Sequence, residues 1–228
     1  MESHHVLSEE HQHYAENSYP SNHTYQIKKG VLVPKRELAK RYHKIQKLYP
    51  RTLTSLLDAS SSKGFFVFDA SRKPTCERAL GIDIHDYDID FCDRLKQHTN
   101  NEQAQFARLT LSELANRIDE FGGPFQTVLV INCYQYLYFG SDISPESHET
   151  HDEIFANLRR VCSERVIFNN RVNLEDCQNS TQVQASPQKA EHYSKIEIFT
   201  AASNYFEVTQ HGRIGKYPLC TMDVKQNA

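Results

Sequence analysis

The 228-residue sequence lacks the features that would place it in several large protein classes. No run approaches the ~20 apolar residues of a membrane span, and the start has no basic region followed by an apolar one. We therefore expect neither a membrane association nor a secretory signal. The fingerprints G-x-G-x-x-G and G-x-x-x-x-G-K-[ST] are both absent. Their absence argues against NAD or FAD binding and against nucleoside-triphosphate hydrolysis.

The cysteines lack the spacing of a metal site or a disulfide framework. No C-x-x-C pair occurs, and most of the six lie in or beside apolar segments. They are Cys76, Cys92, Cys133, Cys162, Cys177 and Cys220. We expect reduced, buried thiols and a cytoplasmic protein without a structural zinc ion. The N-terminal histidines are spaced irregularly and have no accompanying cysteines or paired acids, so no metal site is predicted there either.

Positive charge is concentrated in one segment of a chain whose net charge is −3. Between Lys28 and Arg51 there are nine lysines and arginines and a single acid, Glu37. Such a block is consistent with an anionic partner such as RNA, or simply with a solvated helix face.

The first 50 residues predict two segments ahead of the main domain. Residues 1–25 are polar and rich in histidine, so we expect a flexible segment or one ordered only by docking. Residues 26–50 predict a basic helical extension that Pro34 opens and that ends at Tyr49-Pro50. Leu38, Tyr42, Ile45 and Leu48 recur at helical spacing and form its packed face. The main domain then comprises residues 51–228.

Strands and helices alternate through the main domain. The predicted strands are LTSLLDA, RALGIDI, QFARLTL, FQTVLVIN and ERVIFNN, and one of the intervening helices begins at the cap residue Ser112. Residues 173–190 resemble a loop, and the last strands form a hairpin through residues 211–215. This order predicts an α/β fold, a doubly wound and mostly parallel sheet with helices on both faces and a C-terminal antiparallel hairpin. In such folds ligands bind beyond the carboxyl ends of the strands.

Two acids stand at the ends of the first two strands. Asp58 is followed by Ser60, Ser61, Ser62 and Gly64, a turn of small residues leading into a helix. Backbone N–H groups at such a helix start favour a phosphate or carboxylate. Asp83 ends the second strand, where α/β nucleotide sites place an acid that binds ribose hydroxyls. The alternative for Asp83 is an ordinary surface acid at a strand end.

These segments together resemble a known family. LLDASSSKGFF, ALGIDI, FQTVLVINCYQYL and ERVIFNN are similar to successive motifs of the class I (Rossmann-like) S-adenosylmethionine-dependent methyltransferases, LDxGxxxGxF, VxGIDI and FDxVLxxxVLxHL. The resemblance covers about residues 50–220. It implies seven strands in the order 3-2-1-4-5-7-6, with S-adenosylmethionine as the cofactor and S-adenosylhomocysteine as its product.

The resemblance also implies roles for individual residues. It puts Asp58, Ser60, Ser62 and Gly64 around the methionine part of the cofactor, Asp83 on the ribose and Ile84 on the adenine. Asn132 ends the fourth strand beneath the methyl donor. Three positions depart from the family pattern. Ser60 stands where the pattern has a glycine, and Gln126 stands where an aspartate is common. Thr110 lies near the position at which many members have an acid that binds the adenine amino group. The loop is therefore either a serine-substituted working site or a decayed one.

Candidates for the chemistry follow the fourth strand. His148 and His151 are possible general bases because imidazole titrates near neutral pH, and Tyr136 falls where many members have histidine. The H-x-x-H spacing beside Asp152 and Glu153 could instead hold a metal, or these residues could simply cap the next helix. Tyr134 and Tyr138 are expected to line a substrate pocket, and Arg171 to meet an anionic substrate.

Three functions remain open from the sequence. The first is in-line methyl transfer from S-adenosylmethionine to a small-molecule acceptor, without the N/D-P-P-[YF] motif of many amino-group methyltransferases. The second is modification of transfer RNA or other RNA through the basic helix, since the layout also resembles wobble-uridine modifying enzymes. The third is a methyltransferase-like domain that binds partners without catalysis.

Overall fold

The computed structural model describes residues 7–143, 150–177 and 181–225, and the chain divides into two compact units, Met1–Leu109 and Thr110–Ala228. The first unit contains the helices α1 (Glu9–Asn17), α2 (Arg36–Ile45), α3 (Phe65–Ser71) and α4 (Asp86–His98). Its strands are β1 (Tyr25–Lys28), β2 (Val31–Pro34), β3 (Ser55–Asp58), β4 (Arg78–Asp83) and β5 (Ala104–Arg108).

The second unit contains more helices than strands. Its helices are α5 (Leu111–Asn116), α6 (Tyr134–Phe139), α7 (His151–Val161), α8 (Thr181–Ala185), α9 (Pro187–Glu191) and α10 (Lys195–Tyr205). Its strands are β6 (Phe125–Ile131), β7 (Cys162–Asn169), β8 (Phe206–Ile214) and β9 (Tyr217–Val224).

Seven of the strands form one sheet in the order β5-β4-β3-β6-β7-β9-β8. The pairs β3–β4, β4–β5 and β6–β7 are parallel, whereas β9 is antiparallel to both β7 and β8. Numbered along the chain from β3, this is the predicted order 3-2-1-4-5-7-6, with the predicted C-terminal hairpin. The fold prediction is confirmed.

Burial explains why the central strands were readable from the sequence. Every residue of β3 is buried, as are all residues of β6 except Gln126. The sequence of a parallel strand with both faces covered is a continuous apolar run. The runs of β3 and β6 end at the polar residues Asp58 and Asn132. All six cysteines are buried, as predicted.

The N-terminal extension differs from the prediction. Residues 25–34 form the antiparallel hairpin β1–β2, with Tyr25 paired to Pro34. Lys29 and Gly30 have φ values of 50° and 74°, the backbone of a two-residue hairpin turn. Pro34 therefore ends a strand and does not open a helix, and α2 begins at Arg36.

The described part of the first segment, residues 7–25, is docked on the first unit. Ser8 caps α1, and Tyr14 on α1 makes edge-on contacts with Tyr87 and Phe91 of α4, with ring centroids 4.8 and 5.1 Å apart. Of the two possibilities left open for this segment, these contacts correspond to order by docking. The predicted domain boundaries at residues 25 and 50 stay predictions.

Three features of the second unit differ from the prediction. Thr110, not Ser112, caps α5, because Thr110 and Glu113 form a reciprocal capping box. The predicted loop of residues 173–190 contains the short helices α8 and α9. The last hairpin turns at Gly215-Lys216, since residues 211–214 continue β8 beyond a register shift between Gln210 and Arg213.

In the described ranges no helix is long and apolar enough to cross a membrane.

Candidate functional site

The turn after β3 is tied to β4 by backbone hydrogen bonds. Ser61 donates its N–H to the carbonyl of Ile82 at 2.9 Å, and Gly64 donates to the carbonyl of Ser61 at 2.8 Å. Gly64 is the N-cap of α3. The serine-rich turn therefore has a defined conformation at the carboxyl ends of two adjacent parallel strands.

Only two positions in this turn need the left-handed backbone that favours glycine. Ser62 has φ 45° and Gly64 has φ 76°, while Ser60 keeps a negative φ. A Cβ on Gly64 would also lie 2.8 Å from Cys92 Sγ and 2.9 Å from Phe106 Cε1, too close for an ordinary contact. Ser60, which stands where the motif has a glycine, therefore adds no backbone strain, whereas Ser62 is conformationally strained.

Asp83 links the turn to the end of β4. Its Oδ2 accepts a hydrogen bond from the N–H of Ser62 at 2.9 Å, and its Oδ1 accepts one from the N–H of His85 at 3.1 Å. Each carboxylate oxygen retains a second acceptor site. Asp83 and Ile84 are half-buried, so Asp83 can accept further hydrogen bonds from two neighbouring hydroxyls.

Asp58 lies deeper than Asp83. Its side chain is buried, and burial raises the pKa of its carboxyl to about 8, against a weak opposing hydrogen bond from the Ser60 N–H at 3.5 Å. At neutral pH most of the Asp58 population is therefore protonated. In that form its side chain can donate a hydrogen bond as well as accept one.

Two cations of the first unit are buried and were not among the predicted site residues: Lys63, which lies within this turn, and Arg41 on α2. The Lys63 side chain is fully buried, and its Nζ donates to the carbonyl of Ser18 at 2.7 Å. Arg41, on α2, is 5% exposed and donates from Nη1 to Nε2 of His23 at 3.0 Å. The sequence did carry a signal for Arg41, because it stands three residues after Leu38 and four before Ile45, on the apolar face.

In the second unit, Asn170 holds the turn between β6 and α6. Its Oδ1 accepts from the N–H groups of Cys133 and Tyr134 at 2.8 and 3.0 Å, and its Nδ2 donates to the carbonyl of Val130 at 2.7 Å. Asn132, within this turn, has φ 58°. Asn170 was not predicted as a site residue, although a polar pair at the end of an apolar strand is visible in the sequence.

Three amide oxygens near these strand ends are buried without a hydrogen-bond partner: Asn132 Oδ1, Gln135 Oε1 and Asn169 Oδ1. The Asn169 amide is oriented by its Nδ2, which donates to the carbonyls of Tyr217 and Pro218 at 3.1 and 2.8 Å. A buried acceptor left unpaired costs about 1–3 kcal/mol. Such oxygens are suited to a ligand that brings N–H or O–H donors.

His151 is held in a fixed neutral state by its neighbours. Its Nε2 donates to the carbonyl of His192 at 3.0 Å, so its Nδ1 accepts from the Tyr134 hydroxyl at 2.8 Å. Burial lowers its pKa, and its ring stacks on Tyr138 at a centroid distance of 4.1 Å. Both nitrogens are therefore occupied, which does not favour His151 as a general base. That role stays a prediction, and His148 lies outside the described residues.

The remaining predicted residues have mixed surroundings. Tyr134 and Tyr138 are buried in an aromatic cluster with Tyr193, whereas Tyr136 is 42% exposed on α6. The guanidinium carbon of Arg171 lies 5.4 Å from the centre of the Tyr217 ring. Thr110 and Thr150 both cap helices, so the capping alternative is realised at the start of α7. No group of three potential metal ligands lies together among the residues that the structure covers.

The basic segment is partly committed to contacts within the first unit. Lys35 pairs with Glu16 at 3.6 Å, and Lys40 pairs with Glu37 at 2.7 Å. The buried Arg41 likewise faces a protein group, the His23 ring. These contacts give no particular support to RNA binding, which stays a prediction.

Comparison with known proteins identifies the fold but no near relative. No protein-family model matches the sequence, and no curated protein matches it. The PH0226 protein from Pyrococcus horikoshii OT3 is similar with a TM-score of 0.60 and 17% identity, over 84% of this chain and 92% of that one. The N-terminal domain of EvdMO1 with SAH (S-adenosylhomocysteine) bound is similar with a TM-score of 0.57 and 13% identity, over 84% and 82% of the two chains.

An O-methyltransferase family protein from Burkholderia thailandensis is also similar, with a TM-score of 0.56 and 12% identity, over 84% of this chain and 57% of that one. Identities this low speak for the fold alone. With the strand order and the antiparallel C-terminal hairpin, they show that the protein has the fold of the class I S-adenosylmethionine-dependent methyltransferases.

Proposed function

We propose that the protein is an S-adenosylmethionine-dependent methyltransferase that acts on a small-molecule acceptor. The observation that carries the proposal is the hydrogen bond between the Ser62 N–H and Asp83 Oδ2. It joins the turn after β3 to the acid that ends β4, while both carboxylate oxygens keep acceptor sites. A decayed loop would have no need to retain this connection.

The residues of the first unit fit the adenosine and methionine parts of the cofactor. Asp83 accepts hydrogen bonds from the ribose hydroxyls, and the half-buried Ile84 offers an apolar surface to the adenine. The turn from Asp58 through Ser60 and Ser62 to Gly64 surrounds the methionine part. The cofactor supplies a methyl group on a positively charged sulfur, which makes that carbon a strong electrophile.

The residues of the second unit are proposed to orient the acceptor. Asn132 and Gln135 each carry a buried amide oxygen that has no partner among the described residues, and N–H or O–H groups of an acceptor would satisfy it. Asn170 fixes the backbone between them. In-line displacement depends mainly on alignment, so the proposal does not require His151 as a base.

Matched variants test the cofactor assignment. Asp83→Ala removes the ribose acceptor, and we expect it to weaken S-adenosylhomocysteine binding at least about tenfold, the loss of charge-assisted hydrogen bonds. Asp90→Ala removes the same charge from an exposed position on α4 and should bind as the wild type does. Calorimetric titration measures both. Equal affinities in the two variants would contradict the role of Asp83.

A further inference from the structure

Arg41 is a buried cation without an anionic partner. Its one hydrogen bond goes to the neutral acceptor Nε2 of His23, and no carboxylate in the described ranges lies within ion-pair distance of its guanidinium. A guanidinium has five N–H donors and stays charged at neutral pH. Placing such a group out of water costs free energy that an anion would offset.

The donors that Arg41 does not use remain accessible. None of its nitrogens is among the sealed side-chain atoms that lack a partner, although the whole side chain is only 5% exposed. The unused part of the fork is therefore not sealed by the protein. A planar guanidinium with unused donors is suited to a carboxylate, which it can bind through two parallel hydrogen bonds.

The surroundings of Arg41 are positively charged and lie beside the turn after β3. Burial, together with the charges of Arg41 and Lys63, lowers the pKa of His23 to about 3, so His23 adds no charge and its Nε2 accepts the hydrogen bond from Arg41. Arg41 is close enough to Asp58 to lower the pKa of its carboxyl. Burial outweighs that effect and raises the pKa of Asp58 overall, and Asp58 makes no ion pair with Arg41 in the described ranges.

We propose that Arg41 binds the carboxylate of the cofactor's amino-acid end, and that His23 is a positioning residue that holds the guanidinium in place. The inference rests on the proposed function. The charge of Arg41 acts on Asp58, which begins the turn assigned to the methionine part. A carboxylate on the acceptor is the other possible source of the anion, and the two sources predict different binding results.

Two ligands separate these sources. S-adenosylhomocysteine carries the amino-acid carboxylate, whereas 5′-methylthioadenosine shares the adenosine and the thioether but lacks the amino acid. We expect Arg41→Met to weaken binding of S-adenosylhomocysteine by about tenfold to hundredfold, since hydrogen bonds to a charged group are lost. Binding of 5′-methylthioadenosine should stay unchanged. Lys40→Met, which removes the same charge from an exposed position on α2, should alter neither affinity.

Further variants keep the test decisive if Arg41→Met folds poorly. Arg41→Lys retains the charge but loses the planar fork, and should still weaken S-adenosylhomocysteine selectively. His23→Leu should also weaken S-adenosylhomocysteine binding selectively. His23→Gln keeps a hydrogen-bond acceptor and should therefore retain most of the wild-type affinity. In the wild type, the methyl ester of S-adenosylhomocysteine should bind at least about tenfold more weakly than the free acid.

The outcomes that overturn the inference differ from those that overturn the proposed function. If the wild type binds S-adenosylhomocysteine but Arg41→Met binds it equally well, or loses both ligands equally, Arg41 does not bind this carboxylate. Equal affinity of the wild type for the acid and its ester has the same meaning. Failure of the wild type to bind S-adenosylhomocysteine overturns the proposed function itself.

Discussion

Ser62 carries the conformational cost of the turn after β3. Its φ of 45° lies in the left-handed region, where an L side chain costs roughly 1–2 kcal/mol. Its backbone N–H is also the group that binds Asp83. The protein therefore retains a strained conformation at the residue that connects the turn to β4, which is typical of a functional site.

Replacing Ser62 with glycine should relieve this strain. We expect Ser62→Gly to raise the free energy of unfolding by about 0.5–1 kcal/mol, after the entropic cost of glycine in the unfolded chain. Ser60→Gly, at a negative φ, should lower it by a similar amount. Urea unfolding measures both. A change of the same sign in the two variants would contradict this account of the turn.

Asp58 should make stability depend on pH. Burial raises its folded-state pKa from 3.8 to about 8, so between these values the folded protein keeps a proton that the unfolded chain has released. Stability should therefore fall as the pH rises through this window. Asp58→Asn removes the titration. We expect its stability relative to the wild type to be higher at pH 9 than at pH 5, by at least about 1 kcal/mol.

Denaturant unfolding at the two pH values checks this expectation. The comparison of variant and wild type at each pH cancels the contributions of other titrating groups, such as Asp88, whose pKa burial also raises. A relative stability that does not change between pH 5 and pH 9 would show that Asp58 is ionised in the folded protein.

At the scale of elements, the ends of three buried strands were predictable, whereas two helix starts and the end of β5 were not. QFARLTL was predicted as a strand up to Leu111, but β5 ends at Arg108. The apolar runs of β3, β4 and β6 stop at Asp58, Asp83 and Asn132, and a polar residue after a buried run is visible in the sequence. Pro34 and Ser112 were wrong as helix starts. In each case a competing hydrogen-bonded structure, the β1–β2 hairpin or the Thr110–Glu113 box, determines the boundary.

The turn between β6 and α6 depends on a single side chain. Asn170 is buried and makes three hydrogen bonds to backbone groups of Val130, Cys133 and Tyr134. We expect Asn170→Ala to lower the free energy of unfolding by about 2–4 kcal/mol, because these buried groups lose their partner. Asn204→Ala, which removes one exposed bond to Asp152, should cost less than about 0.5 kcal/mol.

Thermal and urea unfolding distinguish the two asparagines. Similar small losses in both variants would mean that water replaces Asn170 in the turn, and that Asn132 and Gln135 are not rigidly placed by it.

At the scale of the whole molecule, the alternation of elements predicted the fold class, and the motif resemblance predicted the strand order. The acids at strand ends were found because they are local to their strands. Arg41 with His23, Asn170 with Cys133 and His151 with His192 were not, since these pairs are 18, 37 and 41 residues apart. Sequence periodicity carries no information about such pairings.

The basic segment shows that the exposure of a side chain cannot be predicted from the charges along the sequence. Its excess of lysine and arginine was consistent with an anionic partner or a solvated helix face, yet Arg41 is buried and two lysines are ion-paired. Charge counted along the sequence gives the number of cations in a segment. Only the fold shows which of them are available to a ligand.

The central claim is that the serine-rich turn belongs to a working cofactor site. The most direct test is a calorimetric titration of the wild-type protein with S-adenosylhomocysteine. The account predicts one-to-one binding with a dissociation constant on the order of micromolar, about −8 kcal/mol. The absence of both binding heat and a thermal shift would contradict it, and would favour a methyltransferase-like domain that binds partners without catalysis.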